Sequence, residues 1–108
     1  MLECPNFFPL DGKWVLMCSP MGLQERQVVY LTGDFDEQTG NFQWQTMGSV
    51  DLGFDFYAPQ HFRDEKGRNL IMAWVGSWPW MPWFRSNDAT EKLGWCGILT
   101  LPRQIRLC

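Results

Sequence analysis

The sequence predicts an all-β protein, and two observations lead to that prediction. Short runs of β-branched and aromatic residues alternate with Gly- and Asp-containing turns along the 108 residues. No stretch of about 12 residues carries the i, i+3, i+4, i+7 apolar spacing of an amphipathic helix. The expected architecture is about two antiparallel four-stranded sheets.

The first half, from Glu3 to about Gly48, is expected to hold four strands. The turn Leu10-Asp11-Gly12 leads into a strand that begins near Trp14. Further along, polar and apolar residues alternate with period 2, as in a half-buried strand. The apolar runs that define the later strands of this half are Trp14–Cys18, Val28–Leu31 and Asn41–Gln45, with a turn over Asp36–Gly40 between the last two.

The second half, from Asp55 onward, is expected to hold three or four strands. Its first two strands are separated by a charged, Gly-containing turn over Arg63–Arg68. The predicted strands of this half are Phe56–Ala58, Leu70–Val75, Cys96–Leu101 and Gln104–Leu107.

A repeat of 54 to 55 residues relates the two halves. Pro5 and Pro59 lie 54 residues apart, as do Phe8 and Phe62, whereas Gly12 and Gly67, Leu16 and Ile71, and Met17 and Met72 lie 55 apart. A period of this length is typical of four-stranded propeller blades. We therefore expect a partial β-propeller with one blade over residues 1–50 and a second, possibly incomplete, over 51–108.

Two blades cannot close a ring that normally needs four to eight. The flanks of such a piece are uncovered, which favours association. The chain is therefore expected either to form a homo-oligomer or to belong to a larger propeller.

Composition excludes several partners. The 9 Lys and Arg against 12 Asp and Glu give a net charge of −3, which argues against binding to nucleic acid. No apolar run approaches the ~20 residues of a membrane span, and the first residues lack a basic, apolar leader. The four cysteines are accordingly expected to be reduced thiols in the cytoplasm. Without a C-x-x-C motif, and with His61 as the single histidine, we expect no metal site and no cofactor.

Aromatic residues are unusually frequent, with seven Trp and eight Phe. Large rings can enlarge the core of a small domain, and they are also a usual stacking surface for sugars. Composition leaves both interpretations open.

Three segments together indicate a family. Glu3-Cys4-Pro5-Asn6-Phe7-Phe8 resembles the Glu-Cys-Pro motif of glycoside hydrolase family 32, which includes invertases, sucrose-6-phosphate hydrolases and levanases. Asp55–Gln60 resembles its Asp-Phe-Tyr-Ala-Pro-Gln segment, and 94–103 is similar to the run that ends its catalytic propeller. The resemblance implies a five-bladed propeller, of which this chain forms the C-terminal two blades. It also implies retaining hydrolysis of a β-fructoside such as sucrose, sucrose 6-phosphate or a fructan.

The resemblance assigns roles to five residues. Glu3 matches the general acid/base of the family, and Cys4 matches the cysteine beside that acid. Asp55 and Tyr57 match residues near the substrate pocket, and Trp78 matches a tryptophan implicated in substrate contact. The alternative for Glu3 is a surface side chain at a frayed N-terminus.

Two motifs of the family are missing from this sequence. The Trp-Met-Asn-Asp-Pro-Asn-Gly motif would carry the nucleophilic aspartate, and the Arg-Asp-Pro aspartate would bind sugar hydroxyls. A retaining glycosidase needs two carboxyl groups, so the chain alone is expected to be inactive and to require an N-terminal fragment. The alternative is a non-catalytic, oligomerising β module that binds carbohydrate weakly.

Overall fold

The computed structural model describes residues 1–22, 28–53, 55–76, 94, 95 and 97–108. This part of the chain contains β-strands and no helix, so no helix in it could span a bilayer. The strands are β1 (Leu2–Leu10), β2 (Lys13–Pro20), β3 (Val29–Asp36), β4 (Asn41–Ser49), β5 (Tyr57–Arg63), β6 (Asn69–Val75), β7 (Ile98–Leu99) and β8 (Arg103–Gln104).

The first sheet is an antiparallel meander in the order β1-β2-β3-β4. Asp11 and Gly12 connect β1 to β2, and both have positive φ, at 48° and 82°. This is the backbone that a two-residue hairpin turn with the right-handed strand twist requires. The turn between β3 and β4 is held by the Asp36 carboxylate, which accepts from the Gln38 and Thr39 backbone N–H groups and the Thr39 hydroxyl.

The second sheet is built around β6, which pairs with β5 along one edge. Two short strands share the other edge of β6: β7 pairs with Trp74 and Val75, and β8 pairs with Leu70 and Ile71. Both short strands are shorter than the sequence pattern indicates. The interruption between them includes Pro102, which has no N–H to donate to a ladder.

The C-terminal residues beyond β8 contribute to the core instead of extending a strand. Ile105 and Leu107 pack against the buried cluster between the sheets. The Ile105 N–H donates to the Asn69 carbonyl, and the Leu107 N–H donates to the Asp11 carboxylate in the first hairpin turn. The end of the chain therefore ties the second sheet to the first.

The two sheets pack face to face. One face of the first sheet, the front face, carries Phe8, Val15 and Met17, and it meets Ile71 and Ala73 of the second sheet in one buried cluster. His61 stacks parallel on Phe8, with ring centroids 3.6 Å apart. The all-β prediction and the two four-stranded antiparallel sheets of a partial propeller are confirmed.

Candidate functional site

Glu3 lies near the start of β1, beside a β-bulge. The pairing of β1 with β2 shifts register between Glu3 and Asn6, and Cys4 has a positive φ of 48°. A bulge bends a strand and changes the direction of its side chains. Glu3 is consequently half-buried within a sheet and does not lie at a frayed terminus.

The first strand of the second sheet repeats this feature. The pairing of β5 with β6 shifts register between Tyr57 and Gln60, and Ala58 has a positive φ of 49°. Glu3 and Tyr57 are 54 residues apart, which is the repeat period. They therefore occupy equivalent positions in the two sheets.

These equivalent side chains meet between the sheets. Tyr57 Oη donates a hydrogen bond to Glu3 Oε2 over 2.5 Å, and the Met21 sulfur lies 3.3 Å from the same hydroxyl. Tyr57 is buried. The contact occupies one carboxylate oxygen of Glu3 and does not engage the other.

The Tyr57 hydroxyl stays protonated over a wide pH range, so it remains a hydrogen-bond donor. Burial, followed by the hydrogen bond to Glu3 and the negative charge of that carboxylate, raises the pKa of Tyr57 to about 12. All of these effects disfavour the charged phenolate. At neutral pH the hydroxyl is therefore protonated and available to Glu3.

Asn6 connects the two bulges. Its Nδ2 donates to the Cys4 and Pro59 carbonyls at 2.9 and 2.8 Å, and its Oδ1 accepts from the His61 backbone N–H at 2.8 Å. Because these bonds satisfy backbone groups of both sheets, the side chain fixes the position of β5 relative to β1.

Ser19 supports the second bulge from the first sheet. It is opposite Glu3 in the β1–β2 pairing and is fully buried. Its hydroxyl accepts from the Ala58 N–H at 3.1 Å, at the residue with positive φ. The sequence analysis assigned no role to Ser19 or to Asn6, although Asn6 lies in the quoted Glu3–Phe8 segment. The Glu3–Tyr57 pair, in contrast, could have been found by applying the 54-residue offset to Glu3.

Cys4 is a half-buried free thiol in the bulge, directly after Glu3. Its influence on Glu3 stays a prediction.

Asp55 lies two residues before Tyr57. Both carboxylate oxygens are shielded from solvent and have no hydrogen bond of normal geometry. Burial raises the pKa of Asp55, and the nearby Gly76 backbone N–H offsets part of the shift. The substrate contact of Asp55 stays a prediction, and the predicted substrate residue Trp78 lies outside the described residues.

A separate groove of about 730 Å³ lies between the front face and the C-terminal residues, and its lining includes Phe8, Tyr30, Ile71 and Ile105 but neither Glu3 nor Tyr57. Among the described residues, no three His, Cys, Asp or Glu side chains are grouped as metal ligands. The described chemistry of the site is therefore that of a half-buried carboxylate with a phenol donor.

Comparison with known proteins identifies relatives along the whole chain. The family model described as "Glycosyl hydrolases family 32 N-terminal domain" matches residues 1–108. The sucrose-6-phosphate hydrolase of Vibrio alginolyticus is 35% identical over 119 aligned positions, covering 99% of this chain and 23% of that protein. The raffinose invertase of Escherichia coli is 35% identical over 121 positions, covering 100% of this chain and 24% of that protein.

Solved structures of the same family superpose on the chain over its whole length. The Bombyx mori GH32 beta-fructofuranosidase superposes with a TM-score of 0.83 at 31% identity, covering 100% of this chain and 24% of that one. The sucrose-6-phosphate hydrolase from Lactobacillus gasseri superposes with a TM-score of 0.76 at 25% identity, covering 100% of this chain and 23% of that one. The chain thus spans about a quarter of the length of the relatives it matches. It belongs to glycoside hydrolase family 32, as part of the domain that the family model describes as N-terminal.

Proposed function

We propose that this chain carries the general acid/base of a retaining hydrolase that acts on β-fructosides such as sucrose. The observation that carries the proposal is the Tyr57 hydroxyl bound to Glu3 Oε2 at the junction of the two sheets. The names of the relatives support the substrate class: sucrose-6-phosphate hydrolase, raffinose invertase, and a beta-fructofuranosidase mutant whose structure is in complex with sucrose.

In this proposal Tyr57 positions the acid. Its hydroxyl holds Oε2, so Oε1 is the oxygen that gives a proton to the departing sugar oxygen. After the glycosyl-enzyme forms, the Glu3 carboxylate accepts a proton from the water that hydrolyses it. Cys4 lies beside the acid, and Trp78 contacts the substrate.

The nucleophile comes from polypeptide outside these 108 residues. A retaining mechanism needs a second carboxylate ~5–5.5 Å from the acid, and it must be ionised to attack. Asp55 belongs to the segment that resembles the family's Asp-Phe-Tyr-Ala-Pro-Gln run near the pocket, and it does not lie in the nucleophile motif. We assign Asp55 to substrate contact, and we place the chain at the C-terminal end of the catalytic propeller, where other blades supply both missing aspartates. We also propose a cytoplasmic location, because Cys4, Cys18 and Cys108 are free thiols, as is usual for proteins of a reducing compartment.

The first test is an assay of sucrose hydrolysis with the purified 108-residue chain. We expect no useful activity, since loss of a nucleophile costs several orders of magnitude in rate. Hydrolysis at the rate of a full-length relative would contradict the proposal that the nucleophile lies outside these 108 residues.

The second test uses a chimera in which this chain replaces the matched quarter of the Vibrio alginolyticus enzyme. In an active chimera, Glu3→Gln should slow sucrose hydrolysis far more than hydrolysis of an activated aryl fructoside, because a good leaving group needs less help from an acid. Glu37→Gln, in the exposed β3–β4 turn, is the matched control and should leave both rates unchanged. Equal losses on both substrates after Glu3→Gln would remove the acid role.

A further inference from the structure

The connecting segment, residues 50–56, leaves the first sheet and ends beside Tyr57. The Val50 N–H donates to the Val28 carbonyl over 3.1 Å, so the start of the segment is anchored next to β3. At its end, Phe56 directly precedes Tyr57 and is 1% exposed. The position of Tyr57 relative to the first sheet therefore depends on how this segment is held.

Asp51 shapes the start of the connecting segment. Its Oδ1 accepts from the Gly53 N–H over 2.7 Å, which closes a short turn of the kind that aspartate favours. Its Oδ2 accepts from Arg103 Nη1 at 2.5 Å, and the Asp51 side chain is only 19% exposed. Solvent therefore screens this ion pair less than it screens a fully exposed pair.

Arg103 belongs to the second sheet. It lies in β8 opposite Ile71 of β6, and Ile71 is part of the buried cluster between the sheets. The guanidinium carbon of Arg103 lies 4.9 Å from the centre of the Phe56 ring, a distance at which a cation is attracted to an aromatic face. One side chain of the second sheet thus contacts the connecting segment at both Asp51 and Phe56.

We propose that Arg103 is a positioning residue for Tyr57. By binding Asp51 and covering Phe56, it holds the connecting segment against the second sheet, and this keeps the Tyr57 hydroxyl on Glu3 Oε2. Arg103 acts through the segment and takes no part in proton transfer. Its consequence for catalysis rests on the proposed function, whereas its effect on the Tyr57–Glu3 bond does not.

The test is the ionisation of Tyr57, followed in the near ultraviolet in a Tyr30→Phe background, where Tyr57 is the only tyrosine. Arg103→Gln should lower the midpoint to between 10 and about 12, because a released segment loosens both the burial of Tyr57 and its bond to Glu3. Loss of a positive charge by itself would raise the midpoint, since it disfavours the phenolate. A lowered midpoint therefore reports position, and an unchanged or raised midpoint would overturn the proposal.

The matched control is Arg68→Gln. Arg68 pairs with Asp64 in the turn between β5 and β6, and the exposed fractions of these two side chains, 48% and 19%, match the 50% and 19% of Arg103 and Asp51. That turn lies at the end of β5 away from Tyr57. Arg68→Gln should leave the midpoint unchanged. An equal fall in both variants would indicate a general loss of stability and would overturn the positioning role.

Asp51→Asn tests the same contact from the other side. It should also lower the midpoint, and added to Arg103→Gln it should lower it no further, because both substitutions break one contact. Falls that add in full would contradict a shared role. Near-ultraviolet circular dichroism checks that each variant is folded. If Arg103→Gln does not fold, Asp51→Asn carries the test, with Asp64→Asn as its control.

The catalytic consequence is measured separately, in the active chimera. Arg103→Gln should slow sucrose hydrolysis more than hydrolysis of the activated aryl fructoside, by a smaller factor than Glu3→Gln, because it acts on the acid through Tyr57. A lowered Tyr57 midpoint with a failed Glu3→Gln test would overturn the proposed function and support the positioning role. A positive Glu3→Gln test with equal losses on both substrates after Arg103→Gln would overturn the catalytic effect of Arg103.

Discussion

Glu3 and Tyr57 occupy equivalent bulges in the first strands of the two sheets, and the Tyr57 hydroxyl donates to Glu3 Oε2 over 2.5 Å. Two halves that repeat along the chain thus contribute one member each to a single hydrogen-bonded pair. The pair exists only when the sheets pack against each other, so it reports on both the fold and the proposed site.

The ionisation of Tyr57 should reveal this pair directly. Tyr30→Phe leaves Tyr57 as the only tyrosine, and its near-ultraviolet titration should have a midpoint at about 12. Glu3→Gln in that background should lower the midpoint but not return it to 10, because burial is the largest cause of the shift. An unchanged midpoint after Glu3→Gln would contradict the pairing.

Alkaline stability should follow from the same shift. The pKa of Tyr57 is higher in the folded chain than the value of 10 expected in the unfolded chain. The stabilisation is therefore fully present below about pH 10 and is lost as the pH rises towards 12. The free energy of unfolding, measured in urea at increasing pH, should fall over this range. Tyr57→Phe should reduce the slope of that fall. Equal slopes in the two proteins would exclude Tyr57 as its cause.

Asn6→Ala should weaken the junction between the sheets. It leaves the His61 N–H and the Pro59 carbonyl without their partner, at a cost of ~1–3 kcal/mol for each buried group. The free energy of unfolding, measured in urea, should fall accordingly. Asn41→Ala, at an exposed position in β4, is the matched control and should change it by less than ~0.5 kcal/mol. Similar losses in both variants would show that Asn6 does not join the sheets.

The contact between Gly48 and Tyr30 should appear in a double-mutant cycle. A Cβ on Gly48 would lie 2.5–2.7 Å from the Tyr30 hydroxyl and ring, so Gly48→Ala should destabilise the chain by ~1–3 kcal/mol. In a Tyr30→Ala background the same substitution should cost less, because the overlapping ring is absent. If Gly48→Ala lowers the free energy of unfolding equally in both backgrounds, the Tyr30 ring is not the cause of the loss.

Asp55 should make the chain less stable as the pH rises. Burial raises its pKa above the ordinary 3.8, so the folded chain favours the protonated carboxyl, and this advantage is lost as the pH rises through the folded pKa. Asp55→Asn should therefore gain stability relative to the unmodified chain as the pH rises above the ordinary pKa of 3.8. Asp36→Asn should show the opposite trend, because the Thr39 hydroxyl bond and backbone bonds lower the pKa of Asp36. If the free energies of unfolding of the unmodified chain and of Asp55→Asn change with pH in parallel, the raised pKa of Asp55 is contradicted.

Strands with strong local signals were predictable. The Asp11-Gly12 turn, the alternation from Asn41 and the apolar run from Leu70 all lie where the sequence pattern puts them, because turn chemistry and side-chain period act between near neighbours. The end of the chain was less predictable. Ile105 and Leu107 look like part of a strand, but they pack between the sheets, and a local pattern does not specify what an apolar side chain will pack against.

The sequence by itself determined the fold class and the repeat, and its resemblance to family motifs pointed to Glu3 and Tyr57 as candidate site residues. Only the tertiary structure decided that these two side chains bind each other, that Asn6 and Ser19 hold their bulges, and that the carboxylate oxygens of half-buried Asp55 are shielded from solvent. The physical reason is distance along the chain. Turns and strands depend on residues a few positions apart, whereas the site joins residues 36 to 55 positions apart whose meeting depends on how two sheets pack.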